Sequence, residues 1–200
     1  MRRSLVWVAL ALTLAGCNQV YSAKPVFSTA DEAGAPALRP GLWVMASAKC
    51  SFNEARPVQR WPDCADWVLI RQGQIVSLET KDGKPDWSAI DTVLAAGDPR
   101  VLQWHEPESA DHHYAYAGLQ PTATDVEGRI TAIEAWPALC GPPPPEDAKS
   151  KVTANPLPGL RIDGSDCYAE EAGPVRASAK ASRAWAADRQ AAHWVRDALP

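Results

Sequence analysis

Between Gly41 and Trp136 the chain is cut into short β-prone runs by glycine-bearing turns, and that spacing narrows the fold more than any other feature. Arg39-Pro40-Gly41 punctuates, and the apolar run Leu42-Trp43-Val44-Met45 after it reads as a first strand. Asp66-Trp67-Val68-Leu69-Ile70-Arg71 and Gln74-Ile75-Val76-Ser77-Leu78-Glu79 flank Gln72-Gly73, a hairpin signal. Asp82-Gly83 marks the next turn, and Asp86 to Ala96 fits either a short helix or another strand. Val101 to Trp104 and His113 to Ala117 form a further pair. Gln120 to Asp125 and Arg129 to Trp136 form another, turned at Glu127-Gly128. Successive runs of this kind predict a mainly β fold, a small antiparallel barrel or sandwich of about seven or eight strands. Gly141 followed by Pro142, Pro143, Pro144 and Pro145 excludes strand interior and helix, and reads as a stiff polyproline connector. The Ala-rich stretch Pro174 to Leu199 predicts a C-terminal helix, with Gly173-Pro174 as its start. Asp188 interrupts its apolar face, so His193 to Asp197 could instead be a closing strand.

The N-terminus constrains location. Met1-Arg2-Arg3 is cationic, and the mostly apolar run from Leu5 to Leu14 is too short to span a hydrocarbon core, which needs roughly 20 residues. It has the length and flanks of a secretory signal. The run ends in Leu14-Ala15-Gly16-Cys17, which resembles the lipobox of bacterial lipoprotein precursors. The resemblance covers residues 1–17. It implies cleavage before Cys17, a diacylglyceryl group on its thiol, acylation of the new amine, and hence a membrane held as partner through the lipid. More than one acyl chain is what stable anchoring requires. In that family Asp at the next position commonly retains the protein in the inner membrane. Asn18 here implies the outer membrane, facing the periplasm. Residues 1–16 are thus expected as signal peptide, 17–39 as the lipidated cysteine and a flexible tether that lacks periodicity, and 40–200 as one globular β-rich domain.

An oxidising compartment gives the remaining cysteines a meaning. Of five, Cys50, Cys64, Cys140 and Cys167 are left after Cys17, an even number that reads as two disulfides. Three connectivities are possible. Pairing of sequence neighbours, Cys50 with Cys64 and Cys140 with Cys167, closes the shortest loops, each bridge contributing about 2–4 kcal/mol. A four-thiolate zinc site would need CxxC-type pairs, which are absent.

Charge excludes one class of partner. Removing Arg2 and Arg3 takes the basic count from 20 to 18 against 24 acids, so the net charge moves from −4 to −6. Nucleic-acid binding wants a basic face, and none is expected here. Nine tryptophans are many for 200 residues. They suit the core and edges of a small β-domain, or stacking on a ring-shaped ligand.

Two further readings concern ligands. Gly41-Leu42-Trp43 near the start of such a domain resembles the Gly-x-Trp signature of lipocalins, some of which are outer-membrane lipoproteins with a helix late in the chain. That resemblance rests on three residues plus the architecture, and it implies a barrel cavity for a lipid or aromatic molecule. The segment Trp104 to His113 holds His105, His112 and His113 with Glu106, Glu108 and Asp111. Paired strands around it would bring His105 near His112, and His105, His112 and Glu106 are the candidate ligands for zinc through nitrogen and oxygen. An exposed acidic turn has the same composition.

Catalytic patterns are missing. No Gly-x-Ser-x-Gly elbow occurs. Ser165 has no local base, and the Asp163/Asp166 and Glu170/Glu171 pairs read as solvated loop charges. No phosphate-cradling glycine loop exists. The sequence therefore points to a non-enzymatic envelope lipoprotein with a binding, assembly or structural role and an envelope protein as possible partner, needing no cofactor beyond its covalent lipid. A small-ligand carrier and a metal-binding protein are the alternatives.

Overall fold

A computed structural model describes residues 17–46, 49–71, 73–81, 84–106, 113–145, 147–148, 150–186 and 189–197. Residues 1–16, expected as a signal peptide, lie outside them. The strands are β1 (Val20–Ser22), β2 (Gly41–Ala46), β3 (Ala65–Arg71), β4 (Gln74–Lys81), β5 (Lys84–Ala95), β6 (Arg100–His105), β7 (Tyr114–Thr124), β8 (Ile130–Pro137), β9 (Arg161–Asp163), β10 (Asp166–Tyr168) and β11 (Gln190–Arg196). The α-helix of the described residues, α1 (Ala172–Ser182), follows β10.

Strands β2 to β8 form an antiparallel meander in chain order. β11 closes it: Gln190 to His193 pair with Ala135 to Ala132 of β8, and Ala192 to Trp194 pair with Met45 to Trp43 of β2. The result is an eight-stranded antiparallel barrel with one C-terminal helix and two disulfides. The ambiguity over 174–199 resolves into a helix and a closing strand. The ambiguous run 86–96 is strand, part of β5.

Alternation along each strand sorts the side chains. Trp43 and Met45 (β2), Val68 and Ile70 (β3), Ile75 (β4), Leu102 and Trp104 (β6), Ala117 and Leu119 (β7) belong to one buried cluster that fills the barrel. The alternate residues Leu42, Val44, Leu69 and Val76 are equally buried, but outside the barrel wall. There the 49–64 segment covers them with Val58 and Trp61, stapled by Cys50–Cys64, whose Cα atoms are 5.7 Å apart. Covered on both faces, β2 reads in sequence as a continuous apolar run instead of alternating.

A second outer cluster lies over β6 and β7. Val101 and Tyr116 of the wall meet Val175 and Ala179 of α1, together with Cys140 and Cys167. Those two cysteines form the other disulfide, Cα atoms 5.5 Å apart. The buried face of α1 is Val175, Ser178, Ala179 and Ser182, at helical spacing and mostly small. Small side chains let the helix approach closely enough to bond the wall. Ser178 Oγ donates to the Leu139 carbonyl (2.7 Å), Leu139 N–H donates to Ser182 Oγ (2.8 Å), and Trp136 Nε1 donates to the Ala179 carbonyl (2.7 Å).

The expected tether, 17–39, is corrected by the structure: residues 18–39 are part of the domain. Val20 and Phe27 are buried, and β1 adds to β7 and, in parallel, to β10. A short 3-10 turn at Thr29–Glu32 leads into a plug that crosses the end of the barrel where β2 begins. Ala96 N–H donates to the Asp31 carbonyl, Ile130 N–H to that of Ala37, and Arg39 N–H to that of Ile130. Arg100 Nη1 reaches the Pro36 carbonyl, its pKa lowered by burial. The segment shows no periodicity because it is neither long helix nor long strand, and many of its bonds are to residues far away in sequence. The domain boundary at 40 therefore moves to Asn18.

Gly41, from the Gly-x-Trp pattern, holds φ +128 where a Cβ would strike Trp194 Nε1 at 2.8 Å. Trp43 Nε1 donates to the Arg39 carbonyl (2.8 Å), and the Arg39 guanidinium lies 3.6 Å over the Trp194 ring. The pattern thus fixes the plug to the closing strand. Gly118 also makes room for an indole. Trp136, fully buried, lies across it, and a Cβ there would come within 2.9 Å of Trp136 Cζ2. Gly118→Val is expected to lower stability by about 1–3 kcal/mol through overpacking. Urea unfolding monitored by circular dichroism measures it, and an unchanged midpoint would show that Trp136 is free to move.

Candidate functional site

The candidate site lies along β5 where, among the described residues, its pairing with β6 stops. β5 pairs with β4 along nearly its whole length, from Lys84↔Lys81 to Asp91↔Gln74. With β6 it pairs only over Thr92 to Ala95. Thr92 N–H donates to the Gly73 carbonyl (2.8 Å), which turns Thr92 toward the β4 side. Strand alternation then turns the backbone groups of Trp87 and Ala89, and the N–H of Asp91, the other way. No strand pairs with that edge among the described residues.

Beside the open edge lies a groove of about 680 Å³. Ser88 to Val93 form one bank, Pro25, Phe27, Ser28 and Thr29 the other, and Gln103, Trp104, His105 and Tyr114 close it. Trp87, which precedes the lining residue Ser88 on β5, is 50 % exposed, its ring edge-on to Trp67 at 6.3 Å. Asp86 and Asp91 are exposed on the same strand, and Asp91 Oδ1 accepts from Gln74 Nε2 (2.9 Å).

The far bank is held by a side chain that sequence reasoning passes over. Gln103, 3 % exposed, accepts on Oε1 from Val26 N–H (2.9 Å) and Phe27 N–H (3.0 Å), and Nε2 donates to the Phe27 carbonyl (3.0 Å). Its amide thus stands in for a neighbouring strand. Nearby the Tyr116 hydroxyl is bonded to Ser22 Oγ. Burial pushes that tyrosine up to about 12, so it stays a neutral partner. A glutamine flanked by Leu102 and Trp104 is the one available signal, since an amide enters a core only when its bonds are made.

The expected site residues are distributed as follows. Cys50, Cys64, Cys140 and Cys167 are in the two disulfides, and Cys17 is free and half-buried. His105 ends β6, and Glu106 N–H donates to the His113 carbonyl (2.8 Å). The His105 and His113 rings stack at 6.4 Å, and Tyr114 lies 5.2 Å from His105. Glu106 Oε1 accepts from Trp104 Nε1 (3.0 Å). His112, with Glu108 and Asp111, lies outside the described residues, and no three metal-ligating side chains converge among the described residues. No helix of the described residues is long and apolar enough to cross a membrane.

No protein-family model, curated protein sequence or solved structure matches the chain.

Gln103→Leu keeps the volume and strips three bonds from the bank. It is expected to cost about 1–3 kcal/mol and to speed amide exchange at Val26 and Phe27 by more than tenfold. Exchange measured by NMR decides it, and full protection in the variant would mean that packing of Phe27 alone holds the bank.

Proposed function

We propose that the protein is a lipid-anchored envelope lipoprotein, exported by residues 1–16, held at the outer membrane by acylated Cys17 and facing the periplasm. Its role is non-enzymatic: it binds an extended segment of another envelope protein along β5. The observation that carries this reading is that no strand among the described residues pairs with the outward backbone groups of Trp87 and Ala89 beside the groove. An edge of this kind recognises main chain, adding a strand by hydrogen bonds while side-chain pockets supply selectivity. Unprotected edges invite aggregation, and proteins blunt them with proline or charge. By the same alternation the backbone of Pro85 faces the open side without an N–H, and Asp86 and Asp91 add charge. The edge is thereby limited to about three residues, enough for a selective partner strand. The acidic rim favours basic side chains flanking an apolar centre that would meet Ile90 and Trp104.

The carrier reading fits the barrel less well. Trp43, Met45, Ile70, Leu102 and Trp104 occupy the space that a lipid would take.

Displayed nine-residue peptides, selected on the domain exported in soluble form as Cys17→Ser, test the proposal. Selected peptides should alternate apolar and basic residues and avoid central proline. Ala89→Pro removes the central outward N–H and should weaken them at least tenfold at an unchanged melting temperature. Trp87→Lys is the second variant, with the same expectation. Selection of peptides indifferent to both variants, or a lipid or aromatic molecule retained in native mass spectrometry with no peptide selected, would overturn it.

A further inference from the structure

We infer that the interior of the barrel, at the end away from the plug, is a binding site for a small organic ammonium ion such as an aliphatic amine.

The inward faces of the strands fall into two zones. At the plugged end they are apolar, with Ile70 of β3, Ile75 of β4, Leu94 of β5 and Leu102 of β6. Toward the other end alternation continues the same faces with polar residues. Inward Val68 is flanked by Asp66, Ile75 by Ser77, and Ile90 by Ser88. Ser77 and Ser88 are opposite each other in the β4–β5 ladder. Trp104 Nε1 donates to Glu106 Oε1 (3.0 Å), which holds Glu106 on the inward side of β6. Tyr21 of β1, opposite Ala115, packs against the same cluster.

One hydroxyl in this zone lacks a partner. Ser77 is 2 % exposed, and its Oγ makes no hydrogen bond among the described residues. Buried polar atoms are almost always bonded, so a ligand that supplies this bond gains by it. The electrostatics choose the ligand's charge. Burial, and then the neighbouring Asp63, raises the half-buried Asp66 carboxyl above the usual carboxylate range. Burial raises the Tyr21 hydroxyl, and Glu106 and Asp166 raise it further. The charges acting on both groups are negative. Arg100, the inward cation of the described strand residues, is held at the plug by the Pro36 carbonyl.

An ammonium ion answers both features. Its N–H groups donate to the Ser77 and Ser88 hydroxyls, and its charge offsets those of Asp66 and Glu106. Trp104 and Tyr21 add aromatic surface, which attracts a cation. Entry is through the groove beside β5, because the lining residues Ser88, Ile90 and Trp104 also face the interior. The ligand is small, since an eight-stranded barrel has room for little beyond its own side chains.

The test titrates n-butylammonium chloride, and separately n-butanol, into the full chain carrying Cys17→Ser. The Trp104 indole N–H is followed by NMR. Butylammonium should shift that signal saturably, and butanol at the same concentrations should not. Ser77→Ala removes the unpartnered hydroxyl, so it should leave the melting temperature unchanged or higher while weakening the amine at least threefold. Asp66→Asn should weaken it at least tenfold. No saturable shift, an equal shift by butanol, or an affinity that either substitution leaves unchanged would overturn the site.

Discussion

Closure of the barrel by β11 is the constraint on which the rest of the structure depends. Seven strands in sequence order leave two open edges, on β2 and β8, and β11 satisfies both at once. To arrive there the chain must leave β8, run through residues 138–189 and return antiparallel. That excursion is long, and its loop-closure entropy is offset only where it finds contacts on the way. It finds them over β6 and β7, where α1 packs, Cys140–Cys167 cross-links the excursion to itself, and β10 pairs with β1. The Arg39–Trp194 stack then joins the plug to the strand that completes the wall.

The disulfides occupy equivalent positions in this scheme. Neither is inside the barrel. Each fastens an irregular covering onto an apolar outer face, one over β2 to β4, the other over β6 to β8. A barrel this small exposes much of its outer wall, and irregular segments without a sheet of their own hold poorly to it. Cross-linking them limits the freedom of the unfolded chain.

The hairpins and both cysteine pairings are legible in the sequence because their causes are local: a glycine turn, a short loop. Where the cause lies far along the chain, the sequence misleads. In sequence, β7 reads as two strands, 113–117 and 120–125, with Gly118 between them. Gly118 instead makes room for Trp136, and Pro121 sits at a register shift in the ladder with β8. Residues 18–39 look like a tether because Asn18, Val26 and Phe27 take their partners from positions 141, 153, 165 and 103. The groove itself has no sequence signal. It lies beside the stretch of β5 that runs on past the end of β6 at His105.

In the proposed function that stretch serves as a docking edge on a closed barrel. The most direct measurement is amide hydrogen exchange along β5 in the free protein. An open edge gives alternation: Trp87, Ala89 and Asp91 exchange fast, while Asp86, Ser88 and Ile90, bonded to β4, exchange at least a hundredfold more slowly. Uniform protection from Asp86 to Asp91 would mean that the edge is already filled, and the docking strand would have to be sought elsewhere.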